Sequence, residues 1–129
     1  MEYKRIFHPT KRLVRSEHLN HHGTLFAGIG AQWFVESGFI AAADCLPPKH
    51  LVCVQIDSLQ FKKSVREGEI VCYTSHIESV GKTSIRTHTK VTVGSAEEIL
   101  VEGFSIFVFV DENTKPTPHR VTLIDPCFE

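Results

Sequence analysis

One acidic residue, Glu36, stands inside the otherwise uncharged and mostly apolar segment LFAGIGAQWFVESGFIAAA. Burying an unpaired carboxylate is costly, so such a group must be solvated, paired with a cation, or shifted in its pKa. Desolvation raises the pKa of a carboxyl group, which suits a general base or nucleophile that works near neutral pH. The alternative is a structural salt bridge at a subunit boundary, and the residue pattern favours neither interpretation over the other.

The residues that precede Glu36 offer hydrogen-bond donors. Gly28 and Gly30 each reduce helix stability by about 1 kcal/mol relative to alanine, so their presence needs a reason. One reason is that another group must approach the backbone closely. Free N–H groups at a helix N-terminus can donate to a polarised carbonyl oxygen. The other explanation for the two glycines is that they allow the helix to pack tightly against the sheet. Asn20, in the preceding loop, could hold a water molecule or a carbonyl group, or cap the helix.

Three histidines, His18, His21 and His22, lie in the segment EHLNHHG just before the apolar run. Their spacing does not match a zinc site, no cysteine is adjacent, and a loop orders metal ligands poorly. We therefore expect no bound metal, and interpret these histidines as solvated side chains or as the rim of a substrate site.

The elements that must position these residues follow from hydrophobic periodicity and from the breaks between segments. A first strand at about 6–15 is followed by the polar loop, by a helix at about 25–45 that ends before two prolines, and by four long strands. In TSIRTHTKVTV the alternation places Ile85, Thr87, Thr89, Val91 and Val93 on one face. EILVEGFSIFVFV is nearly all apolar, as expected of a strand buried on both faces.

The predicted fold class is α+β, with a curved antiparallel sheet wrapped around one long central helix. The helix is apolar on all sides, which is typical of a buried helix. We expect one domain over residues 1–129, because this length supports one substantial core.

Composition narrows the function classes. The chain has 42% hydrophobic and 22% charged residues and a formal net charge of −1, so nothing global favours nucleic acid or an anionic membrane as a partner. No apolar stretch is long enough to span a membrane, and the charged N-terminus does not resemble a signal peptide, so we expect a cytoplasmic protein. The cysteines form no C-x-x-C pair and are expected to be reduced: Cys45, Cys53, Cys72 and Cys127.

The motifs taken together resemble a known family. NHHGTLFAG followed by WFVESG is similar to the N-x-x-G-x-x-F-G-G motif and acidic helix of hotdog-fold acyl-CoA thioesterases, the 4-hydroxybenzoyl-CoA thioesterase-like superfamily. VQIDSLQFKKSVREGEIV, VGKTSI and FSIFVFVDENTKPTP match further motifs of that family in the same order. The resemblance covers about residues 14–118 and departs from the pattern at Ala27, at KKSV, and at Val35, where many relatives carry aspartate.

The resemblance implies hydrolysis of an acyl-CoA thioester without metal or organic cofactor, at sites between the subunits of a homodimer. By the same resemblance Glu36 is the general base or nucleophile, and Asn20 holds water or the thioester carbonyl. The Gly28 N–H would polarise that carbonyl, and Lys82, Thr83 and Ser84 would meet CoA. The sequence leaves dimer, tetramer and hexamer open.

Charge and apolarity suggest further contacts to such a substrate. Cations that could meet the CoA phosphates include Lys62 and Arg86, besides Lys63, Arg66 and Lys82, although lysines at turns are usually just solvated. An acyl group needs an apolar slot, for which Trp33, Phe34, Ile56 and Phe61 are candidates. Core packing explains those four residues equally well.

Two other functions remain open on the sequence. A hotdog hydratase or dehydratase could use His22 with Glu36, and a non-catalytic module could bind acyl-CoA without turnover. Asn20 and the GKTS turn fit the thioesterase better than the hydratase.

Overall fold

The computed structural model describes residues 1–124 and has one helix against one face of an antiparallel sheet. The elements are β1 Glu2–Lys4, β2 His8–Leu13, α1 Ala27–Ala43, β3 Leu51–Phe61, β4 Ile70–Val80, β5 Ser84–Val93, β6 Val101–Phe109 and β7 Thr122–Ile124, with 3-10 turns at Ser16–His18 and Pro48–His50. The sheet has five strands in the order β2-β4-β5-β6-β3, and a parallel pair of short strands, β1 and β7, lies beside it. The predicted fold class is confirmed.

The helix α1 lies unusually close to the sheet. Its buried side includes Gly38, where an added Cβ atom would lie 2.7 Å from Thr87 Oγ1 on β5. Buried hydroxyls between the layers bond to one another: Ser37 Oγ lies 2.6 Å from Ser75 Oγ, which lies 2.5 Å from Thr89 Oγ1. These pairs satisfy polar groups that would otherwise be costly to bury.

The opposite side of α1 is open in the single chain. Ile40 is 47% exposed and Phe26 is also exposed, so the prediction of a helix buried on all sides is wrong for one chain. The sheet covers a single side of the helix, and apolar groups on the other side have no cover within residues 1–124.

The strands follow the predicted alternation in β5, where Ile85, Thr87, Thr89 and Val91 are buried. In β6 every second residue is buried and the others are half-buried, so the prediction of a strand buried on both faces is wrong. No feature of the sequence predicted β7. This strand pairs in parallel with β1, and Tyr3 lies opposite Leu123.

The two edges of the sheet differ in length and in side chains. The edge strand β3 has eleven residues and leaves Val52, Val54 and Ile56 exposed. It contains neither proline nor lysine. The strand has a bulge between Asp57 and Gln60, and there Leu59 lies so close to Gly103 that a Cβ added to Gly103 would be 2.8 Å from the Leu59 Cα. The other edge, β2, has six residues and carries Pro9 and Lys11 on its outward side.

The described cysteines, Cys45, Cys53 and Cys72, are free thiols, and Cys127 lies outside the described residues. Cys53 is exposed on β3. Among residues 1–124 there is no helix long and apolar enough to cross a membrane.

Candidate active site

Asn20 orders the loop that leads into α1. Its Oδ1 accepts hydrogen bonds from the N–H groups of His22 and Thr24, at 2.8 and 3.2 Å, and its Nδ2 donates to Thr24 Oγ1 at 3.1 Å. Gly23 closes the turn with a φ of 80°, a value that glycine adopts without strain. Asn20 therefore does not cap the helix, and one N–H of its amide points to no protein acceptor in residues 1–124.

The N-terminus of α1 presents two open donors. The N–H groups of Ile29 and Gly30 both bond to Phe26 O at 3.0 Å, but those of Ala27 and Gly28 have no partner among the described residues. Both residues are exposed, and a Cβ added to Gly28 would lie 2.6 Å from the Phe26 ring. Such N–H groups can bind a carbonyl oxygen that gains negative charge.

A cavity of about 230 Å³ opens beside this helix end. Asn20, Ala27 and Gly30 line it on one side, and Lys62 and Lys63 on another. Its apolar wall consists of Leu25, Phe26, Phe61, Val65, Tyr73, Val91 and Val101. This mixture of an apolar wall with a few polar groups is typical of small-molecule sites.

The apolar-slot candidates fall in three different places. Phe61 lines the cavity, whereas Phe34 and Trp33 are buried in the core. Ile56 is exposed on β3. Only Phe61 of the four is therefore available to a ligand in this cavity.

Glu36 lies apart from the cavity. It follows Gly28 by two turns of α1, about 12 Å along the helix axis, and its side chain is 45% exposed. Arg12 Nη2, from β2, donates to Glu36 Oε1 at 2.5 Å, and the same guanidinium lies 5.3 Å from the centre of the Trp33 ring. The predicted burial of Glu36 is therefore wrong for the single chain, where a salt bridge within the chain pairs it.

Arg12 is a site residue that the sequence did not indicate. The only sequence feature that could have indicated Arg12 is the alternation of side chains along β2, which places His8, Thr10 and Arg12 on the side that faces the helix. Val35, at the position where many relatives carry aspartate, packs against the core cluster. Glu36 is thus the acid on the accessible side of the helix.

The turn of Lys82, Thr83 and Ser84 connects β4 and β5 at the end of the sheet far from the cavity. Val91, which lines the cavity, lies about 20 Å along β5 from the turn. One chain therefore does not bring this turn together with Asn20 and Gly28.

Lys62 and Arg86 are engaged by carboxylates. Lys62 Nζ donates to Glu102 Oε1 at 2.6 Å. This hydrogen bond, with a second from His88, holds the pKa of Glu102 below its usual range. Arg86 bonds to Asp57 and Glu78, both at 3.0 Å, and lowers the pKa of Asp57. Neither cation is free to meet an anion without giving up a partner.

The histidines do not form a metal site in the described part of the chain. His18 Nδ1 accepts the Arg15 N–H at 3.0 Å and its ring packs edge-on against Trp33. The rings of His21 and His22 lie 3.9 Å apart on the surface, and no contact joins His22 to Glu36. Residues 1–124 contain no group of three His, Cys, Asp or Glu side chains that could hold a metal ion.

Comparison with known proteins identifies the family. A model described as the thioesterase superfamily matches residues 22–99. The chain belongs to this superfamily. An uncharacterized acyl-CoA thioester hydrolase of Bacillus subtilis is 31% identical over 104 residues, which cover 77% of this chain and 59% of the relative. A similar protein of Buchnera aphidicola is 33% identical over 84 residues, covering 64% and 61%. This thioesterase-superfamily chain spans about three-fifths of the length of these curated relatives.

Solved structures with the same architecture agree with this assignment. An acyl-CoA hydrolase from Bacillus cereus has a TM-score of 0.80 and 27% identity, and the match covers 95% of this chain and 75% of that one. A hexameric hotdog fold thioesterase of Campylobacter jejuni has a TM-score of 0.75 and 25% identity, with 84% and 86% coverage. The hotdog fold predicted for this superfamily member is confirmed.

Proposed function

We propose that this chain is an acyl-CoA thioesterase, which hydrolyses an acyl-CoA to the free acid and CoA. The observation that carries the proposal is one helix that presents open N–H groups at Ala27 and Gly28 and an accessible carboxylate at Glu36. Beside the open donors lie the Asn20 amide and an apolar cavity. Thioester hydrolysis needs these parts: donors for the carbonyl oxygen, an acid that activates water, and a place for the acyl group.

The reaction requires few groups. Water attacks the carbonyl carbon and gives a proton to Glu36, while N–H groups of α1 stabilise the negative oxygen. The C–S bond then breaks, and the proton passes to the departing CoA thiolate. Alternatively the Glu36 carboxylate attacks the carbonyl carbon, and the C–S bond breaks, which releases the CoA thiolate and leaves a mixed anhydride. Water then hydrolyses the anhydride to the free acid and Glu36, and the proton from water passes to the thiolate. Neither route uses a metal or an organic cofactor, since CoA is part of the substrate.

A homodimer is the proposed minimum unit. Glu36 and the open N–H of Gly28 lie about 12 Å apart along the helix, too far to act on one carbonyl within one chain. A second copy that pairs along the exposed edge of β3 would complete a longer sheet and cover apolar side chains. We propose that Glu36 of one copy then faces Asn20 and Gly28 of the other. The hexameric relatives are consistent with larger assemblies of such dimers.

In this arrangement the turn at Lys82, Thr83 and Ser84 binds the CoA part of the substrate, and the cavity takes the acyl group. Lys62 lies at the cavity rim, and Arg86 on the outer sheet face. Both would have to exchange a carboxylate partner for a phosphate. We further propose a cytoplasmic location, which accords with the free thiols of the three described cysteines.

The experiment is a thiol-release assay over a panel of saturated acyl-CoAs, with wild type, Glu36→Gln and Asn20→Ala. The matched control is Glu17→Gln, an exposed acid paired with Arg15. We expect Glu36→Gln to abolish turnover and still bind CoA, Asn20→Ala to slow turnover, and Glu17→Gln to behave as wild type. Thiol release from a saturated substrate excludes a hydratase, which needs a double bond. Full turnover by Glu36→Gln would overturn the proposed role of this acid.

A further inference from the structure

The cavity beside the start of α1 has a floor that is one row of side chains across the sheet. Tyr73 on β4 lies opposite Val91 on β5. Val91 lies opposite Val101 on β6, which in turn lies opposite Phe61 on β3. All four residues line the cavity, and residues paired in this way share one face of a sheet. The floor therefore runs from the edge strand β3 inward to Tyr73.

The two ends of this row differ in exposure. Phe61 is 49% exposed, and Lys62 and Lys63 beside it are exposed as well. Tyr73 is only 2% exposed, and Val91 is also buried. The cavity is thus open at the β3 end and closed at the Tyr73 end. Because the proposed second copy pairs along β3, it would cover the mouth of the cavity and leave the closed end to residues of one chain.

Tyr73 is held in place from two directions. Its hydroxyl donates a hydrogen bond to Gly30 O on the helix at 3.3 Å. Its ring packs edge-on against that of Trp33, with the ring centres 6.3 Å apart. Burial raises the pKa of Tyr73 above its usual range, so the side chain is a neutral phenol. Tyr73 consequently forms a fixed wall at the closed end.

Gly30 leaves the space above the row open. A Cβ added there would lie 3.5 Å from Leu25 Cδ2, 3.6 Å from Phe61 Cε1 and 3.9 Å from the Tyr73 hydroxyl oxygen. These are ordinary van der Waals distances, so a methyl group would fit and would occupy part of the cavity. The missing side chain at Gly30 therefore adds to the volume that a ligand can use.

The volume of the cavity sets the size of its ligand. An apolar cavity of about 150 Å³ holds one benzene molecule, which corresponds to about 25 Å³ per carbon atom. By this measure the 230 Å³ of the present cavity takes about nine non-hydrogen atoms. An octanoyl group, with its carbonyl oxygen, has that size.

The closed end of the cavity offers no charge to a ligand. Within residues 1–124 the charged side chains that line the cavity are Lys62 and Lys63. Both lie at the open end, and each is paired with a glutamate. Burying an unpaired carboxylate against the apolar row would be costly. The inner part of the cavity is therefore suited to an uncharged, apolar chain.

We propose that Tyr73 sets the upper limit on acyl length, and that the substrates are uncharged acyl-CoAs with up to about eight acyl carbons. This inference rests on the proposed function, because it identifies the class of acyl group which the same site accepts. Tyr73 determines specificity by its position and takes no part in the chemistry.

The test is kcat/KM for straight-chain acyl-CoAs from acetyl-CoA to palmitoyl-CoA. In the wild type we expect a rise of up to about fourfold for each added methylene group as far as octanoyl-CoA, and a fall for longer chains. Succinyl-CoA, which ends in a carboxylate, should be at least about tenfold poorer than butyryl-CoA of equal carbon number. A profile that keeps rising to palmitoyl-CoA would overturn the limit.

Two substitutions should move the limit in opposite directions. Tyr73→Ala opens the closed end and should raise kcat/KM for dodecanoyl-CoA relative to octanoyl-CoA about tenfold. Gly30→Ala fills part of the cavity and should lower kcat/KM for octanoyl-CoA relative to butyryl-CoA about tenfold. Tyr73→Phe keeps the ring and should keep the wild-type limit. Tyr3→Ala is the matched control, because it removes the same side chain from a core cluster away from the cavity.

Circular dichroism shows whether each variant is folded. If Tyr73→Ala does not fold, Gly30→Ala decides the question alone, since its added methyl group meets no atom closer than 3.5 Å. A wild-type length profile in folded Gly30→Ala would overturn the inference, and so would a wild-type profile in folded Tyr73→Ala.

Binding separates this inference from the proposed activity. S-alkyl thioethers of CoA lack the carbonyl group and are not hydrolysed, so calorimetric titration with them measures the fit of the chain alone. Affinity that depends on chain length and on Tyr73, without hydrolysis of any acyl-CoA, would reject the activity and retain the length limit. Hydrolysis at a rate that is independent of chain length and of Tyr73 would reject the limit and retain the activity.

Discussion

Arg12 Nη2, on β2, donates a hydrogen bond to Glu36 Oε1, on the helix, at a distance of 2.5 Å. The two side chains are 40% and 45% exposed, and a pair in that setting adds at most about 1 kcal/mol to the free energy of unfolding. The guanidinium also lies over the Trp33 ring, which restricts its position. The pair therefore matters more for the orientation of the carboxylate than for stability, and Oε2 stays open to a water molecule.

Arg12→Gln should reduce kcat by about ten- to a hundredfold, because a misplaced catalytic group loses that much. We expect the melting temperature to change little, since the pair is half-exposed. Steady-state kinetics and thermal unfolding measure the two quantities. Arg15→Gln breaks the exposed pair with Glu17 and serves as control. A fall in stability without a fall in kcat would show that the pair is structural.

Gly28→Ala should lower kcat about tenfold or more, because its Cβ would meet the Phe26 ring at 2.6 Å and crowd the open N–H groups. Stability should stay the same or rise, since alanine favours a helix over glycine by about 0.5–1 kcal/mol. The split between kcat and melting temperature is the readout. Unchanged kcat would remove Gly28 from the proposed machinery.

Val54→Lys should convert the proposed dimer to monomers, because it places a charge on the exposed edge strand β3. Activity should fall in parallel, since one chain holds Glu36 and the cavity apart. Light scattering after gel filtration gives the mass, and thiol release gives the activity. Leu13→Lys changes a similarly exposed residue on β2, 50% against 56% for Val54, and should remain dimeric. An active monomeric Val54→Lys would contradict the shared site.

Gly38→Ala should destabilise the fold by about 1–3 kcal/mol, the usual range for overpacking. Its Cβ would lie 2.7 Å from Thr87 Oγ1 and 3.3 Å from Ser105 Oγ, so the helix would have to move off the sheet. Gly30→Ala is the matched control for stability, because its Cβ meets no atom closer than 3.5 Å. Urea unfolding compares the two, and equal midpoints would refute the close approach at Gly38.

His76 should make stability depend on pH. Its ring lies between those of Phe7 and His88 on the outer sheet face, and its Nδ1 is buried without a hydrogen bond. Burial lowers the pKa of His76 from 6.5, with His88, Arg5 and Lys90 acting in the same direction and Glu78 opposing. The unfolded chain therefore takes up the proton first, so stability is complete above about pH 6.5 and is lost as pH falls toward the folded pKa.

The corresponding measurement is the melting temperature at about pH 7.5 and about pH 5.5, on either side of the ordinary histidine pKa. His76→Phe keeps an aromatic ring between its neighbours and should show a smaller drop between the two conditions than wild type. His21→Gln, in the exposed loop, should show the wild-type drop. An equal drop in all three proteins would place the pH dependence elsewhere.

Local signals predicted the elements well. Gly and Pro at REGE, VGKTS and DENTKPTP separate the strands in the structure, and the alternation of β5 matches its buried side chains. Alternation and breakers act within a few residues, so they are visible in the sequence. The family motifs then selected Asn20, Gly28 and Glu36, whose roles stay predictions.

Contacts between distant residues were not predictable in this way. The Arg12–Glu36 pair joins residues 24 apart and depends on where β2 crosses the helix. The β1–β7 pair joins the two ends of the described chain. The burial expected for Glu36 failed for a related reason: the apolar sides of α1 include a surface that its own sheet does not cover.

The unequal edges of the sheet limit how far copies of this chain can associate through backbone pairing. A second copy on β3 would occupy the long edge that lacks proline and lysine. The joined sheet would then end in a β2 strand on either side. There Pro9 offers no N–H group for pairing, and the charge of Lys11 would repel the Lys11 of a further copy. Pairing through β3 is consequently self-terminating, and the same chemistry that favours a closed pair protects it from polymerising into fibres.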